Sequence, residues 1–268
     1  MHCNTCLSTL TPDPEIMRPL LFILLLGLSS AALAESQFKV LVFSKTAGFR
    51  HKSIPDGIAA MKKMASENNF AVDASEDSKV FTDENLKQYK AILFLSTTGD
   101  ILNNEQQRAF ERYIQSGGGF VGIHAATDTE YKWPWYTRLV GGQFASHPAQ
   151  QEAVLDCCEH DHETTKFLPK RWKRFDEWYN FKNLSPNIKP VLMLDETTYK
   201  GGKNGKYHPA AWYQEFDGGR MFYTAGGHTK ESYKEELFLK HVLAGIKYVV
   251  KKGKLEPKKA YLDDEYYD

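Results

Sequence analysis

Two short runs of uninterrupted apolar residues, Ala91-Ile92-Leu93-Phe94-Leu95 and Phe120-Val121-Gly122-Ile123, constrain this chain more than any other feature. Runs of that length with no polar side chain on either face fit strands covered on both sides, as in a parallel sheet, and not strands with one wet face. Helical patterns lie between them. Ile54, Ile58, Met61 and Ala65 share one helix face after a buried strand at Phe38-Lys39-Val40-Leu41-Val42-Phe43-Ser44, with Ser53 as the predicted cap and Asp56 at the capping-box position. Ala71-Val72 reads as a short strand. A further helix starts near Asn104, turns Ala109, Phe110, Tyr113 and Ile114 inward, and stops at Gly117-Gly118-Gly119. Strand and helix alternate, so an α/β domain of βαβ units around a mainly parallel sheet is predicted.

From Asp128 to Pro190 the pattern turns irregular and collects Trp133, Trp135, Trp172 and Trp178. A stretch of that length is more than a connection, and it reads as an insertion that covers or builds a cleft. Strands follow at 191–194, 210–213 and 220–224, and an amphipathic helix closes the fold at 232–250. No repeat or linker divides residues 35–250, which form one predicted domain; the charged tail at 251–268 is predicted to be solvated.

Lys+Arg and Asp+Glu number 34 each in the 268 residues, so no basic surface favours nucleic acid or an anionic membrane as partner. A small molecule is the expected ligand. Met17-Arg18, the apolar run from Pro19 to Leu28 and Ala32-Leu33-Ala34 have the form of a secretory signal peptide, with translation starting at Met17 and cleavage before Glu35. The run is shorter than the roughly 20 residues of a spanning helix, so release to the periplasm or the medium is expected, with no stable membrane anchor. Cleavage removes Cys3 and Cys6 and leaves the adjacent Cys157 and Cys158, which exclude a disulfide framework.

The chemistry-bearing residues cluster where strands end. His51 closes Gly48-Phe49-Arg50-His51, His124 follows a buried strand, and His228 lies in Ala225-Gly226-Gly227-His228-Thr229. Loops at one edge of an open α/β sheet converge, which makes these histidines candidates for one site. Gly122-Ile123-His124-Ala125-Ala126 resembles the sharp turn that presents a nucleophile in G-x-S-x-G enzymes, but it presents an imidazole, fit for proton transfer or metal ligation. A histidine buried against backbone fits the same pattern. Asp128, four residues on, is placed to orient an imidazole or to accept hydroxyl bonds, or simply to close a turn. Asp176-Glu177-Trp178-Tyr179 sets two carboxylates beside rings, a grouping suited to sugars, whose apolar faces stack while their hydroxyls bond to carboxylates; a strand with a core Trp is the alternative. Ser146-His147-Pro148 and Tyr207-His208-Pro209 read as ligand loops, favoured by the two copies over plain extended His-Pro turns, and Tyr131 and Trp133 join the substrate-binding candidates. No H-E-x-x-H or C-x-x-C pair occurs, so no cofactor is predicted and a divalent metal is the secondary expectation.

Across residues 38–250 these motifs, taken in order, resemble the ThuA-like family of trehalose utilisation, whose fold is that of class I glutamine amidotransferases. The resemblance implies a flavodoxin-like three-layer α/β sandwich and a part in the catabolism of disaccharides or their 3-keto derivatives. His124 stands where the glutamine-hydrolysing relatives present cysteine, so glutaminase activity is not expected. The leading expectation is an exported hydrolase or lyase acting on a glycoside or keto-sugar. His124, Asp128 and Glu177 would be catalytic, and Arg50, His51, Tyr131, Trp133, His147, Asp176, Trp178, Tyr179, His208 and His228 would bind substrate. The rival expectation is a sugar-binding or scaffold protein that keeps the fold without turnover.

Overall fold

The computed structural model describes residues 37–251; the leader read at 1–34 and, apart from Lys251, the charged tail lie outside the described residues. The first half alternates as expected: β1 (Lys39–Phe43), α1 (Ile54–Glu67), β2 (Ala71–Ser75), α2 (Asp83–Leu86), β3 (Ala91–Leu95), α3 (Asn104–Gln115) and β4 (Gly119–Ile123). The second half runs α4 (Pro134–Val140), β5 (Gln143–Ser146), β6 (Gln151–Cys157), β7 (Arg171–Asp176), β8 (Asn180–Lys182), β9 (Lys189–Asp195), β10 (Pro209–Phe216), β11 (Gly219–Thr224) and α5 (Glu236–Val249).

Nine strands form one sheet in the order β2-β1-β3-β4-β11-β10-β9-β6-β7. Its first five run parallel, in the flavodoxin-like order, with the winding reversed between β1 and β3; the last four continue it antiparallel. Alternate residues of the parallel strands point to opposite faces. Val40, Val42, Leu93 and Val121 pack with Met61 of α1 and with Phe238 and Val242 of α5. Leu41, Phe43, Ile92, Phe94 and Phe120 pack with Phe110 of α3 and Tyr136 of α4. Helices thus cover both faces of a sheet whose central strands are wholly buried, the arrangement that uninterrupted apolar runs require. Burying each such side chain stabilises the fold by about 1.5–3 kcal/mol. The fit is close at β11, where a Cβ on Gly245 would stand 2.1 Å from the Phe222 ring.

Two expectations are corrected. Ser53 occupies the N-cap of α1 but makes no side-chain cap; its hydroxyl donates instead to the Gly227 carbonyl at 3.2 Å, tying the start of α1 to the loop after β11. The insertion is also more regular than its sequence indicates. Its β6 and β7 lengthen the central sheet, while α4 and the β5–β8 pair form separate elements. The alternation in β7 is concealed because Arg174 and Asp176 face inward with Trp172 while Phe175 is exposed. No helix among the described residues is long and apolar enough to cross a membrane.

The core also contains a titratable group. His241 of α5 is fully buried, donates from Nδ1 to the Thr164 carbonyl at 2.7 Å, and has no partner at Nε2. Burial lowers its pKa from 6.5 to about 4. The unfolded chain therefore binds more protons between those values, and stability declines as pH falls through that window. The urea midpoint should drop between pH 7 and pH 4, and His241→Gln, which keeps a donor but cannot protonate, should make the drop shallower. An unchanged slope in the variant would place the acid sensitivity elsewhere.

Candidate active site

Four loops bring His51, His124, Glu177 and His228 together at the ends of β1, β4, β7 and β11, with one ligand-type atom of each within 4.8 Å of the others. This is the carboxyl edge of the parallel strands, where open α/β sheets build their sites. His124 sits at the turn out of β4 with φ +51°, in the left-handed region where a residue other than glycine is strained. The turn closes tightly: a Cβ on Gly122 would lie 3.0 Å from Tyr223 and 3.1 Å from Ala126.

Glu177 is the hub. Its Oε2 lies 3.0 Å from Nδ1 of His228 and 3.6 Å from Nε2 of His124, and its Oε1 lies 3.3 Å from Nδ1 of His147. Burial alone would raise this carboxyl, but hydrogen bonds and charge from His124 and His228 prevail and hold it far below the usual range. The fully buried His124 meets the Ala225 carbonyl through Nδ1 at 2.9 Å and Nδ1 of His228 through Nε2 at 3.2 Å. His51 is kept neutral, lowered to about 3 by burial first and then by His124 and His228. Tyr179 packs on His124 at 4.2 Å between ring centroids and on Phe144 at 4.3 Å. Beside this wall, Asp128 accepts from the Tyr131 hydroxyl at 2.6 Å; burial raises its carboxyl despite that bond and the charges of His124 and His147.

Asp176 plays a different part from its neighbour. It is fully buried, accepting from the amides of Gly227 and His228 at 2.9 and 3.1 Å and from the Ser232 hydroxyl at 2.9 Å. Arg174 stands 3.5 Å from it and bonds outward to Glu235 at 2.7 Å. This pair fastens the end of β7 to the His228 loop. Gly226 makes room, since a Cβ there would lie 2.4 Å from the Arg174 guanidinium.

The other sequence candidates divide. His147 is partly exposed beside Glu177. Arg50 pairs with Glu76 at 2.6 Å on the surface. Trp178 is fully buried and Trp133 nearly so, Trp133 packing within the aromatic core with Trp135 and Tyr136. His208 is buried too, bonded to Glu196 at 2.7 Å and to the Tyr179 carbonyl at 2.8 Å, so it braces the link between β7 and β8 that carries Tyr179. Sequence reasoning missed Gln150, whose side-chain amide meets Nε2 of His228 at 2.7 Å, and Phe144. Neither lies in a motif, and each becomes visible only once the loops have met. Phe49, exposed and edge-on to His51 at 4.9 Å, was signalled by its place beside Arg50-His51. Cys157 and Cys158 are unpaired; burial raises both thiols, that of Cys158 to about 11, which keeps them un-ionised. Grooves of 490 Å³ beside α2 and α3 and of 650 Å³ between α1 and α5 are lined by none of the cluster residues.

A flavodoxin-ordered sheet with histidine at the turn after β4 defines an α/β protein of the amidotransferase-like kind with an imidazole at the elbow. The chain belongs to the ThuA family, that of trehalose utilisation, whose model matches residues 39–249, and family membership ties it to carbohydrate use. Its fold matches a ThuA-like protein from Bacteroides uniformis at 23% identity and a TM-score of 0.72, over 88% of this chain and 100% of that one. A ThuA-like protein from Parabacteroides merdae matches at 21% identity and a TM-score of 0.67, over 84% and 98%. The fold also matches 31% of a β-galactosidase from Rahnella sp. R3 at 13% identity, with a TM-score of 0.54 over 80% of this chain. No curated protein gives a significant match.

Breaking one side of a buried charge pair costs about 3–5 kcal/mol. Asp176→Asn should lower unfolding stability by an amount of that order in urea titration. A loss below about 1 kcal/mol would mean that another group anchors the His228 loop.

Proposed function

We propose that the protein is an exported enzyme of carbohydrate catabolism, a hydrolase or lyase acting on a glycoside or its 3-keto form by acid–base chemistry, without a covalent nucleophile. The observation that carries this reading is the shared environment of Glu177, His124, His228 and Asp128: one carboxylate held ionised by histidines, the other raised by burial. A general base works best when its pKa approaches the working pH, and Asp128 is displaced in that direction. In a 3-keto glycoside the proton on the carbon next to the carbonyl would pass to the Asp128 carboxylate. The C–H electron pair would form the enolate double bond as the carbonyl pair moves onto oxygen. That oxygen needs a donor; Arg50 is engaged by Glu76 on the surface, and His228, which lies in the cluster, would donate on exchanging its contact with Glu177 for the substrate oxygen. His124 completes the set from beneath. Phe144 and the partly exposed His147 form an aromatic edge suited to a sugar face, with the buried Tyr179 packed behind them.

Export rests on the leader at residues 1–34. A binding protein is the competing reading, because rings and hydroxyl-bonding groups serve affinity as well as turnover. Mature protein from Glu35 should convert at least one member of a panel of trehalose, sucrose, simple glucosides and their 3-keto forms. His124→Ala and Asp128→Asn, folded as judged by circular dichroism, should each lose at least about 100-fold in kcat/KM. Thermal stabilisation by a sugar with no product would favour the binding protein. Silence against the whole panel would remove the carbohydrate substrate.

A further inference from the structure

We infer that His51, His124, Glu177 and His228 form a binding site for one divalent first-row transition-metal ion. The inference rests on the reading of this cluster as the active site, and it deepens that reading by giving the cluster an electrophile.

The first argument is geometric. The three imidazole rings stand nearly perpendicular to one another, at 88°, 86° and 81°, with centroids 4.8, 5.1 and 5.1 Å apart. For an ion about 2.1 Å from each ring nitrogen, the centroids lie about 3.2 Å from the ion; bond angles of about 90° and 109° then set them about 4.5 and 5.2 Å apart. The observed separations fall between those limits. One ligand-type atom of each ring also lies within 4.8 Å of the others and of a Glu177 oxygen, although the rings come from three separate loops.

The second argument concerns the ring nitrogens. Nδ1 of His124 is committed to the Ala225 carbonyl, which leaves the Nε2 lone pair facing His228 and Glu177. A backbone acceptor on the distal nitrogen is the usual support of a metal-bound histidine. His228 has the Gln150 amide nitrogen 2.7 Å from its Nε2 and its Nδ1 directed at Glu177 and His124; with the ion bound, that amide would turn to present its oxygen to Nε2–H.

The third argument is His51. It is buried, and its Nδ1 has no hydrogen-bond partner, a loss of about 1–3 kcal/mol for an interior polar group. A hydrogen-bonded Glu–His cluster explains His124 and His228 and leaves His51 without a purpose. An ion would draw the buried His51 ring into the same site as His124, Glu177 and His228. Three imidazoles and one carboxylate are the donor set of zinc, iron(II) or manganese, and not of calcium or magnesium, which take oxygen ligands.

The ion would act as a Lewis acid on a carbonyl or hydroxyl oxygen of the sugar. His124 then holds the ion and Asp128 moves the proton. The donors come from four loops, so no compact pair such as H-E-x-x-H marks them in the sequence.

The test uses tag-free mature protein, stripped with chelator and dialysed against Zn²⁺, Mn²⁺ or Fe²⁺ in turn, with metal content read by elemental analysis and affinity by calorimetry. One equivalent of at least one ion should be retained. His51→Ala and Glu177→Gln should each weaken binding more than about 100-fold, beyond the 10–100-fold typical of supporting residues, while His162→Ala, outside the cluster, should not. Circular dichroism checks that each variant is folded. Substoichiometric binding by the wild type, or affinity unchanged in both cluster variants, would overturn the site. The outcomes separate from the sugar reading. Metal retained with no sugar converted would keep the ion and remove the substrate, whereas undiminished turnover by stripped, metal-free protein would keep the substrate and remove the ion.

Discussion

The carboxylate of Asp176, fully buried between two parts of the chain far apart in sheet order, is the contact on which the rest of the site depends. Three strands separate β7 from β11, yet the end of β7 bonds directly to the loop after β11. The antiparallel half must therefore curl back over the parallel half. Removing an ion from water costs several kcal/mol, and here three backbone amides, a hydroxyl and the Arg174 guanidinium offset it. Arg174 is itself enclosed, stacked over Trp172 and Phe238 at 4.8 and 4.5 Å. The next residue after this anchor is Glu177, so the fastening that closes the fold also delivers the hub carboxylate to the histidines.

The two halves of the sheet thereby take different parts. The parallel half supplies His51, His124 and His228 from loops at its carboxyl edge, as an open α/β sheet does wherever it builds a site. The antiparallel half supplies Glu177 and, just beyond it, the Tyr179 wall. The strained turn at His124 has its counterpart in the packing around it, because Gly122 allows Tyr223 and Ala126 to close upon it. Strain of that kind persists where the surroundings over-determine it.

The parallel half was legible in the sequence because its signals are local. Five-residue apolar runs, helical spacing and glycine stops each lie within a few residues, and the boundaries of α3 follow from the Asn103–Gln106 capping box and the turn at Gly117. The insertion was not. A strand that turns Arg174 and Asp176 inward and leaves Phe175 exposed inverts the hydrophobic alternation by which a strand is recognised. The same reversal explains why Asp176 and Glu177 looked equivalent. Adjacent residues of an extended segment face opposite ways, so one carboxylate lies behind the His228 loop and the other in front of it. Trp133, Trp178 and His208 looked like ligand residues because aromatic and imidazole groups serve packing as readily as binding, and only burial separates the two. Ser53 fits a cap by spacing, yet its hydroxyl is taken by Gly227, a partner from the other end of the chain.

The electrostatics of the two remaining carboxylates follow from where these loops end. Glu177 lies among histidines, and their hydrogen bonds and charge overcome the burial that would otherwise raise it. Asp128, which also feels the charge of His124, has one strong donor, the Tyr131 hydroxyl, and there burial prevails. Two carboxylates with opposite displacements around one imidazole are the arrangement by which a site separates a fixed negative charge from a group that exchanges protons. A fixed charge is useful only opposite something positive that stays in place. A cation held jointly by His51, His124, Glu177 and His228 would meet that need. Unlike a hydrogen-bonded Glu177–His228 pair, it would also give a role to the buried His51 ring, which stands edge-on to His124 and His228.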